Sequence, residues 1–459
     1  MEDVGALLAA PFGCRAKAVC RAIGNLQGEF DLTKKPNIVA GVDIGSTKIC
    51  VLIAGLRADD ERTAGKSSGN GGSHHTSEPA LECVGVGVAD SKGLRKGLIV
   101  NLEAAKVAIE RALEQAEDVA GVAVESALVG VAGAHIRGVT SRGGIALGSR
   151  PRDVHKEDVQ RAIDGARAVA LPEDRVVLHV FPQDFLLDGE DKIRQPVGLL
   201  GQKLEANVHI VTASATAEQN LVSALNLAGI KVSSTVLEPY AAAEACLSAE
   251  EREQGCCLLD FGSATTEMIV ISDGVVRATA AIPVGGDHFT NDLAVGLRTP
   301  VPEAEALKRE HACAFRELLR GDHPIEISSV GGRPPRTVFS RMLTEIVEPR
   351  ASELLELVHA ELKHAGLEGA LRAGLVLTGG GARLRGLADL AERLFAVPVR
   401  VGRPRGLAGL PENFAHPEFS VAAGLALYGH RTSRNFGTGG TGQPRALGWR
   451  QKLKEAWKG

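Results

Sequence analysis

Apolar and polar positions along this chain fall into two rhythms, short β-branched runs and helical stripes. The runs Ile38–Val42 and Ile49–Ile53 flank a polar turn, a pattern that predicts a buried β-hairpin over Ile38–Ile53. The same pattern returns over Cys256–Ile271, 217 positions further on when Asp43 is matched to Asp260. Such a repeat predicts a duplicated domain whose two hairpin turns face one cleft. A later strand, from Ala373, runs into Gly379, Gly380 and Gly381 and then a helix. Between the hairpins, Leu102, Ala105, Ile109, Ala112, Leu113 and Ala116 share one helical face behind Asn101, an N-cap residue. Strands are expected over Glu125–Val131 and Gly144–Leu147, and an extended segment over Arg175–Leu187. A second amphipathic helix runs through Val159, Ile163, Ala166 and Val169. Leu204–Thr212, Ala217–Ala228 and Lys231–Leu237 read as a βαβ unit, with the helix ending at Gly229. Helices are also expected over Pro302–Phe315 and over 339–364, the latter interrupted at Pro349.

Composition narrows the classes. A chain of 459 residues exceeds one hydrophobic core, so two or more domains are expected. Hydrophobic residues at 44% and charged residues at 24% give a globular balance, and aromatics at 3% make the cores aliphatic. A net charge of -4 argues against a general nucleic-acid binder. The cysteines at 14, 20, 50, 83, 246, 256, 257 and 313 show no Cys-x-x-Cys spacing, so they read as buried reduced thiols. No apolar run reaches the length of a membrane span and no signal peptide precedes the first strand, so the protein is expected to remain inside the cell. The segment Arg57–Pro79, rich in Gly, Ser, His, Asp and Glu, reads as a disordered hairpin loop. Its His74–His75 pair reads as solvated rather than metal-binding.

Each turn carries an acid, a glycine and hydroxyls: Asp43, Gly45, Ser46, Thr47 and Lys48 in the first, Asp260, Gly262, Ser263, Thr265 and Thr266 in the second. Glycine admits close approach of a ligand, hydroxyls and amides donate to phosphate oxygens, and Asp43 can hold a hydrated cation. The stretches Val42–Ile49, Leu237-Glu238-Pro-Tyr-Ala-Ala-Ala-Glu, Asp260-Phe-Gly, Leu377-Thr-Gly-Gly-Gly-Ala and Val421-Ala-Ala-Gly-Leu-Ala-Leu-Tyr resemble the actin-like ATPase superfamily and, within it, the FtsA family of bacterial cell-division proteins. The resemblance implies an α/β, actin-like fold. Two duplicated ribonuclease-H-like domains would hold ATP and magnesium in the cleft between them, with Asp43 reaching the magnesium through water. An inserted α+β subdomain and a C-terminal amphipathic helix complete it. Glu238 reads either as a helix-start carboxylate or, by the resemblance, as the catalytic acid that orients the attacking water. Glu305 and Lys308 read either as a solvated ion pair or, by similarity to DnaK-type chaperones, as a hold on ribose and adenine. The second turn has Ser263 and Ala264 where the family has glycines, which predicts binding with slow hydrolysis at best.

On this resemblance residues 1–36 are a loose extension, 37–97 the first part of domain one (57–79 its loop), and 98–203 an inserted interaction subdomain. Residues 204–237 resume domain one, 238–410 form domain two with 287–371 as its outer subdomain, and 411–430 return to domain one. Residues 431–445 are a flexible linker and 446–459 the membrane-targeting helix. On that helix Ala446, Trp449, Leu453, Ala456 and Trp457 share one side, with Lys452, Lys454 and Lys458 on the other and Arg450 also basic. The function implied is an ATP-binding protein that polymerises with itself, tethers FtsZ filaments to anionic lipids on the cytoplasmic face of the inner membrane at midcell, and recruits later division proteins. Alternatives are an actin-like adaptor similar to the pilus protein PilM, or a sugar or acid kinase of the same fold.

Overall fold

The computed structural model describes residues 38–56, 81–331 and 333–435. The predicted first hairpin is β1 (Ile38–Ile44) with β2 (Lys48–Leu56), and it places Asp43 opposite Cys50. β3 (Leu81–Asp90) adds antiparallel to β2. α1 (Leu102–Ala120) begins as expected, the Asn101 side chain accepting the Ala104 N–H. Its buried stripe of Ala105, Ile109, Ala112, Leu113 and Ala116 packs with Ile49, Val51 and Ile53, leaving Leu102 exposed. β4 (Ser126–Val131) lies parallel to β1. β4 therefore belongs to the first sheet and α1 packs on it, so the insertion starts later than residue 98.

The chain departs through Gly133 into β5 (Arg137–Ala146), α2 (Lys156–Arg167), β6 (Arg175–Leu187), β7 (Glu190–Ile193) and β8 (Lys203–Ser214). These strands form a four-stranded antiparallel sheet in the order β7-β6-β8-β5. Its own core includes Val159, Ile163, Phe185, Leu204, Val208 and Ile210, while Val169 falls beyond α2 and is exposed. The expected βαβ unit is thus divided. α3 (Ala215–Leu227) leads from β8 in the inserted sheet to β9 (Lys231–Leu237), which rejoins the first sheet parallel to β4. Alternation within Leu204–Thr212 identifies a strand, but pairing with β5 and β6 decides whose strand it is.

α4 (Glu238–Cys246) opens domain two, followed by β10 (Cys256–Phe261), β11 (Thr266–Ser272) and β12 (Val275–Ile282). Next come α5 (Gly286–Gly296), α6 (Val301–Glu310), α7 (Ser340–His364), β13 (Gly374–Thr378), α8 (Leu387–Phe395), β14 (Val399–Val401) and α9 (Ser420–Asn435). The second sheet, β12-β11-β10-β13-β14, repeats the first, β3-β2-β1-β4-β9, strand for strand and direction for direction. α4 and α9 bring the two sheets together. Tyr240, Ala241, Cys246, Leu425 and Tyr428 share one core with Leu128 and Val236 of the first sheet and Leu258, Ile269 and Val376 of the second.

Three helices differ from expectation. α6 stops at Glu310, because Ala312 to Ala314 turn inward and the Ala314 N–H donates to the Arg385 carbonyl. α7 runs unbroken through Pro349, since Leu343, Val347, Ala351, Leu354 and Val358 keep one face on the core of domain two on both sides of it. α9 continues to Asn435 rather than yielding to a linker at 431. There Thr432 is buried and Arg431 pairs with Glu244 at 3.1 Å. The expectations for 1–36, 57–79, 436–445 and 446–459, with Cys14, Cys20 and the His74–His75 pair, lie outside the described residues. Cys50, Cys246, Cys256, Cys257 and Cys313 are buried free thiols and Cys83 is half-buried. Among the described residues no helix is long and apolar enough to cross a membrane.

Candidate functional site

The two hairpin turns share one construction. The Gly45 N–H donates to the Lys48 carbonyl at 3.0 Å, and the Gly262 N–H donates to the Thr265 carbonyl at 3.0 Å. Each turn therefore leaves two N–H groups, Ser46 and Thr47 in one and Ser263 and Ala264 in the other, that donate to no described residue. The turn acids Asp43 and Asp260 are both buried, and Asp43 lies close enough to help raise the pKa of Asp260. Glu238 at the start of α4 joins them, in space that Gly130 leaves on β4, where a Cβ would fall 2.7 Å from the Glu238 side chain.

Electrostatics mark this cluster out. Burial pushes the Asp43 carboxyl up to about 6, with Lys48 pulling the other way. Burial, then the neighbouring carboxylates, hold Glu238 and Asp260 well above the usual carboxylate range. Burial lowers Lys48, whose Nζ donates to the Glu418 carbonyl at 2.5 Å and sits 3.4 Å above the Phe419 ring. No described residue donates a hydrogen bond to the carboxylates of Asp43, Glu238 or Asp260, and Glu418 Oε2 is buried without a partner. A carboxylate so placed must hold a proton, or face water and a cation. Among the described residues no three His, Cys, Asp or Glu side chains converge as direct metal ligands.

Other expected residues are placed unevenly. Ser46 Oγ already accepts the Gly97 N–H at 2.9 Å, and Thr47 is exposed. Thr266 is turned away, its hydroxyl donating to the Val284 carbonyl at 2.7 Å. Gly379, at φ 78°, brings the glycine run against the second turn, since a Cβ there would lie 2.4 Å from Asp260 Oδ1. Gly381 is held equally close to the Phe261 ring, and Gly380 faces Glu418. Glu305 and Lys308 form an ion pair of 2.6 Å on α6, and both reach Thr290 of α5. Despite the cost of burial, the bonds from Lys308 and Thr290 hold Glu305 below the usual range. Lys308 also donates to the Gly286 carbonyl at 3.0 Å, and the Gly286 N–H donates to the Gly262 carbonyl, so this pair stands directly behind the second turn.

A family model for cell division protein FtsA matches residues 257–424, and a model for the SHS2 domain inserted in FtsA matches residues 133–212. The chain is 40% identical over 392 residues to cell division protein FtsA of Pseudomonas aeruginosa, covering 85% of this chain and 89% of that one. It is 34% identical over 405 residues to the Escherichia coli K12 protein, covering 87% and 91%. The chain belongs to the FtsA family. Its place is in cell division, which sets aside the pilus-adaptor and kinase readings. The SHS2 match coincides with the inserted sheet, not with the wider 98–203 span. Solved structures with the same fold include the PilM-PilN type IV pilus biogenesis complex, at TM-score 0.57 and 18% identity over 85% of this chain and 98% of that one. MreB5 of Spiroplasma citri bound to ADP has TM-score 0.51 and 15% identity, over 88% and 99%. Both likenesses confirm the actin-like fold.

Glu267 is a further acid of this cluster that the turn motifs do not mark. It lies opposite Asp260 on β11, 3% exposed, accepting the Thr265 hydroxyl at 2.6 Å and the Gly133 N–H at 3.1 Å. Burial pushes it up to about 7 against those two bonds. Strand alternation places it on the same face as Asp260, but the first hairpin carries Cys50 at this position, so matching the two repeats concealed it.

Proposed function

We propose that this FtsA-family protein binds ATP with magnesium between its two hairpin turns and uses that state to govern self-assembly. The observation that carries the reading is the set of carboxylates without hydrogen-bond donors, Asp43 and Asp260 buried and Glu238 half-buried, beside unused turn amides. Magnesium would supply positive charge between phosphate oxygens and these acids. Asp43 and Asp260 hold its water shell from the two domains, and the N–H groups of Ser46, Thr47, Ser263 and Ala264 bind phosphate oxygens. Lys48 supplies a partly desolvated positive charge beside them. Glu238 orients a water at the start of α4. Glu305 and Lys308 support the second turn from behind. The Cβ atoms of Ser263 and Ala264 keep turnover slow.

The assembled protein tethers FtsZ to anionic lipid on the cytoplasmic face of the inner membrane through the basic, Trp-bearing segment Trp449–Lys458, and recruits later division proteins. Support for this part is the family, together with the composition of that segment. Calorimetry tests the cleft: Asp43→Ala should abolish magnesium-dependent ATP affinity, and unchanged affinity would reject the site. A fluorescent fusion tests the tether, because its midcell band should disappear when the last dozen residues are removed.

A further inference from the structure

We infer that Glu267 is an interdomain clasp, a positioning residue whose carboxylate holds the root of the inserted subdomain against the second hairpin and thereby limits opening of the cleft. Glu267 stands on β11 of domain two, whereas Gly133 lies just past β4 of domain one, where the chain departs for the insertion. The Gly133 N–H donates across the domain boundary to Glu267 Oε1 at 3.1 Å, and the Thr265 hydroxyl donates to the same oxygen at 2.6 Å. Both partners are buried, so the bond is not exchanged freely with water. The insertion itself then rests on β12, the neighbouring strand. Gln183 Nε2 donates to the Val276 and Arg277 carbonyls at 3.0 and 2.8 Å, His209 Nε2 lies 2.9 Å from the Thr279 hydroxyl, and Arg277 pairs with Asp184 at 3.2 Å. Separating the domains at the cleft must break the Glu267 bond, because Gly133 and Glu267 stand on opposite sides of the boundary.

The reach of the side chain is what distinguishes a clasp from a cation ligand. Glutamine keeps both the length and an acceptor oxygen at that place while losing the charge. Aspartate keeps the charge but is one C–C bond shorter, by about 1.5 Å, and cannot span to Gly133. The inference about release rests on the proposed nucleotide cleft, while the clasp itself can be read without any ligand. The first measurement is therefore amide exchange of the peptide containing Gly133 in nucleotide-free full-length wild type, Glu267→Gln and Glu267→Asp, with thermal unfolding confirming that each folds. The second is dissociation of a fluorescent ADP analogue with magnesium. Glu267→Gln should match wild type in both, and Glu267→Asp should lose protection at Gly133 and release the analogue roughly tenfold faster, the scale of one net hydrogen bond. The inverse order, aspartate intact and glutamine impaired, would make Glu267 a cation ligand and overturn the clasp. So would equal behaviour of the two variants, or an unprotected Gly133 in wild type. If wild type binds no nucleotide while the exchange contrast persists, the cleft reading fails and the clasp stands.

Discussion

At Asp43 folding shifts the balance toward the protonated form, because burial raises its carboxyl to about 6 from the ordinary 3.8, and Glu267 is raised to about 7 from 4.5. Both groups bind protons more tightly folded than unfolded. Their contribution to stability is complete below the unfolded values and is lost as pH rises through about 6 and 7. Without magnesium or nucleotide, the thermal midpoint of Asp43→Asn should fall less than that of wild type between about pH 5 and about pH 7.5, because the variant has no proton to lose there. A steeper fall in the variant would show that Asp43 is not buried as described. The same residue explains why the proposed magnesium dependence and the pH dependence belong together. A cation satisfies the charge that a proton otherwise neutralises.

Single elements carry more than local structure. β6 of the insertion sends Leu178 and Phe181 into the core shared by both sheets, and its His179 Nε2 accepts the Leu237 N–H at the start of α4. Phe181 lies 4.9 Å from the Tyr240 ring, centre to centre. Phe181→Ala should therefore cost about 3–5 kcal/mol in denaturant unfolding, the range for deleting a buried aromatic, although the residue lies outside both repeated domains. The α4–α9 crossing is as closely set: a Cβ at Gly424 would fall 1.7 Å from the Ala241 carbonyl oxygen. Gly424→Ala must push the helices apart and should destabilise by about 1–3 kcal/mol, visible as a lower urea midpoint at unchanged slope. A neutral result would mean that the two helices can separate without loss.

For the whole molecule, the proposed membrane binding would belong to assembly. If the tail is helical, the spacing of Trp449, Leu453 and Trp457 puts them on one side, and about 25 cal/mol per Å² on roughly 150–250 Å² per tryptophan gives on the order of 10 kcal/mol as an upper bound. Ordering a dozen residues at about 1–2 kcal/mol each is of the same size. One tail should bind marginally, and a polymer presenting many tails should bind firmly. In vesicle sedimentation with anionic lipid, Trp457→Glu should remain in the supernatant, and an assembly-defective variant with an intact tail should sediment far less than wild type. Co-sedimentation of Trp457→Glu at the wild-type level would remove the tail as the anchor.

Local pattern determined the elements. Alternation and punctuation gave the bounds Arg175–Leu187 and Lys231–Leu237, the Asn101 cap, both hairpins and the acids at their turns, because side-chain period and capping chemistry are properties of neighbouring residues. Partner choice was decided only in three dimensions. Whether Leu204–Thr212 joins the first sheet or the inserted one depends on strands contributed from Arg137 and Arg175 onward, and nothing within the segment encodes that choice. The same holds for side-chain direction at the site. Thr266 resembles a phosphate donor in the motif yet gives its hydroxyl to Val284, while Glu267, one residue on, meets Gly133 from 134 positions away. α9 extends past 431 for a similar reason, since a polar sequence still completes a helix when Glu244 and Tyr240 are waiting beside Arg431. Sequence periodicity states which face of an element is buried, and tertiary packing alone states against what.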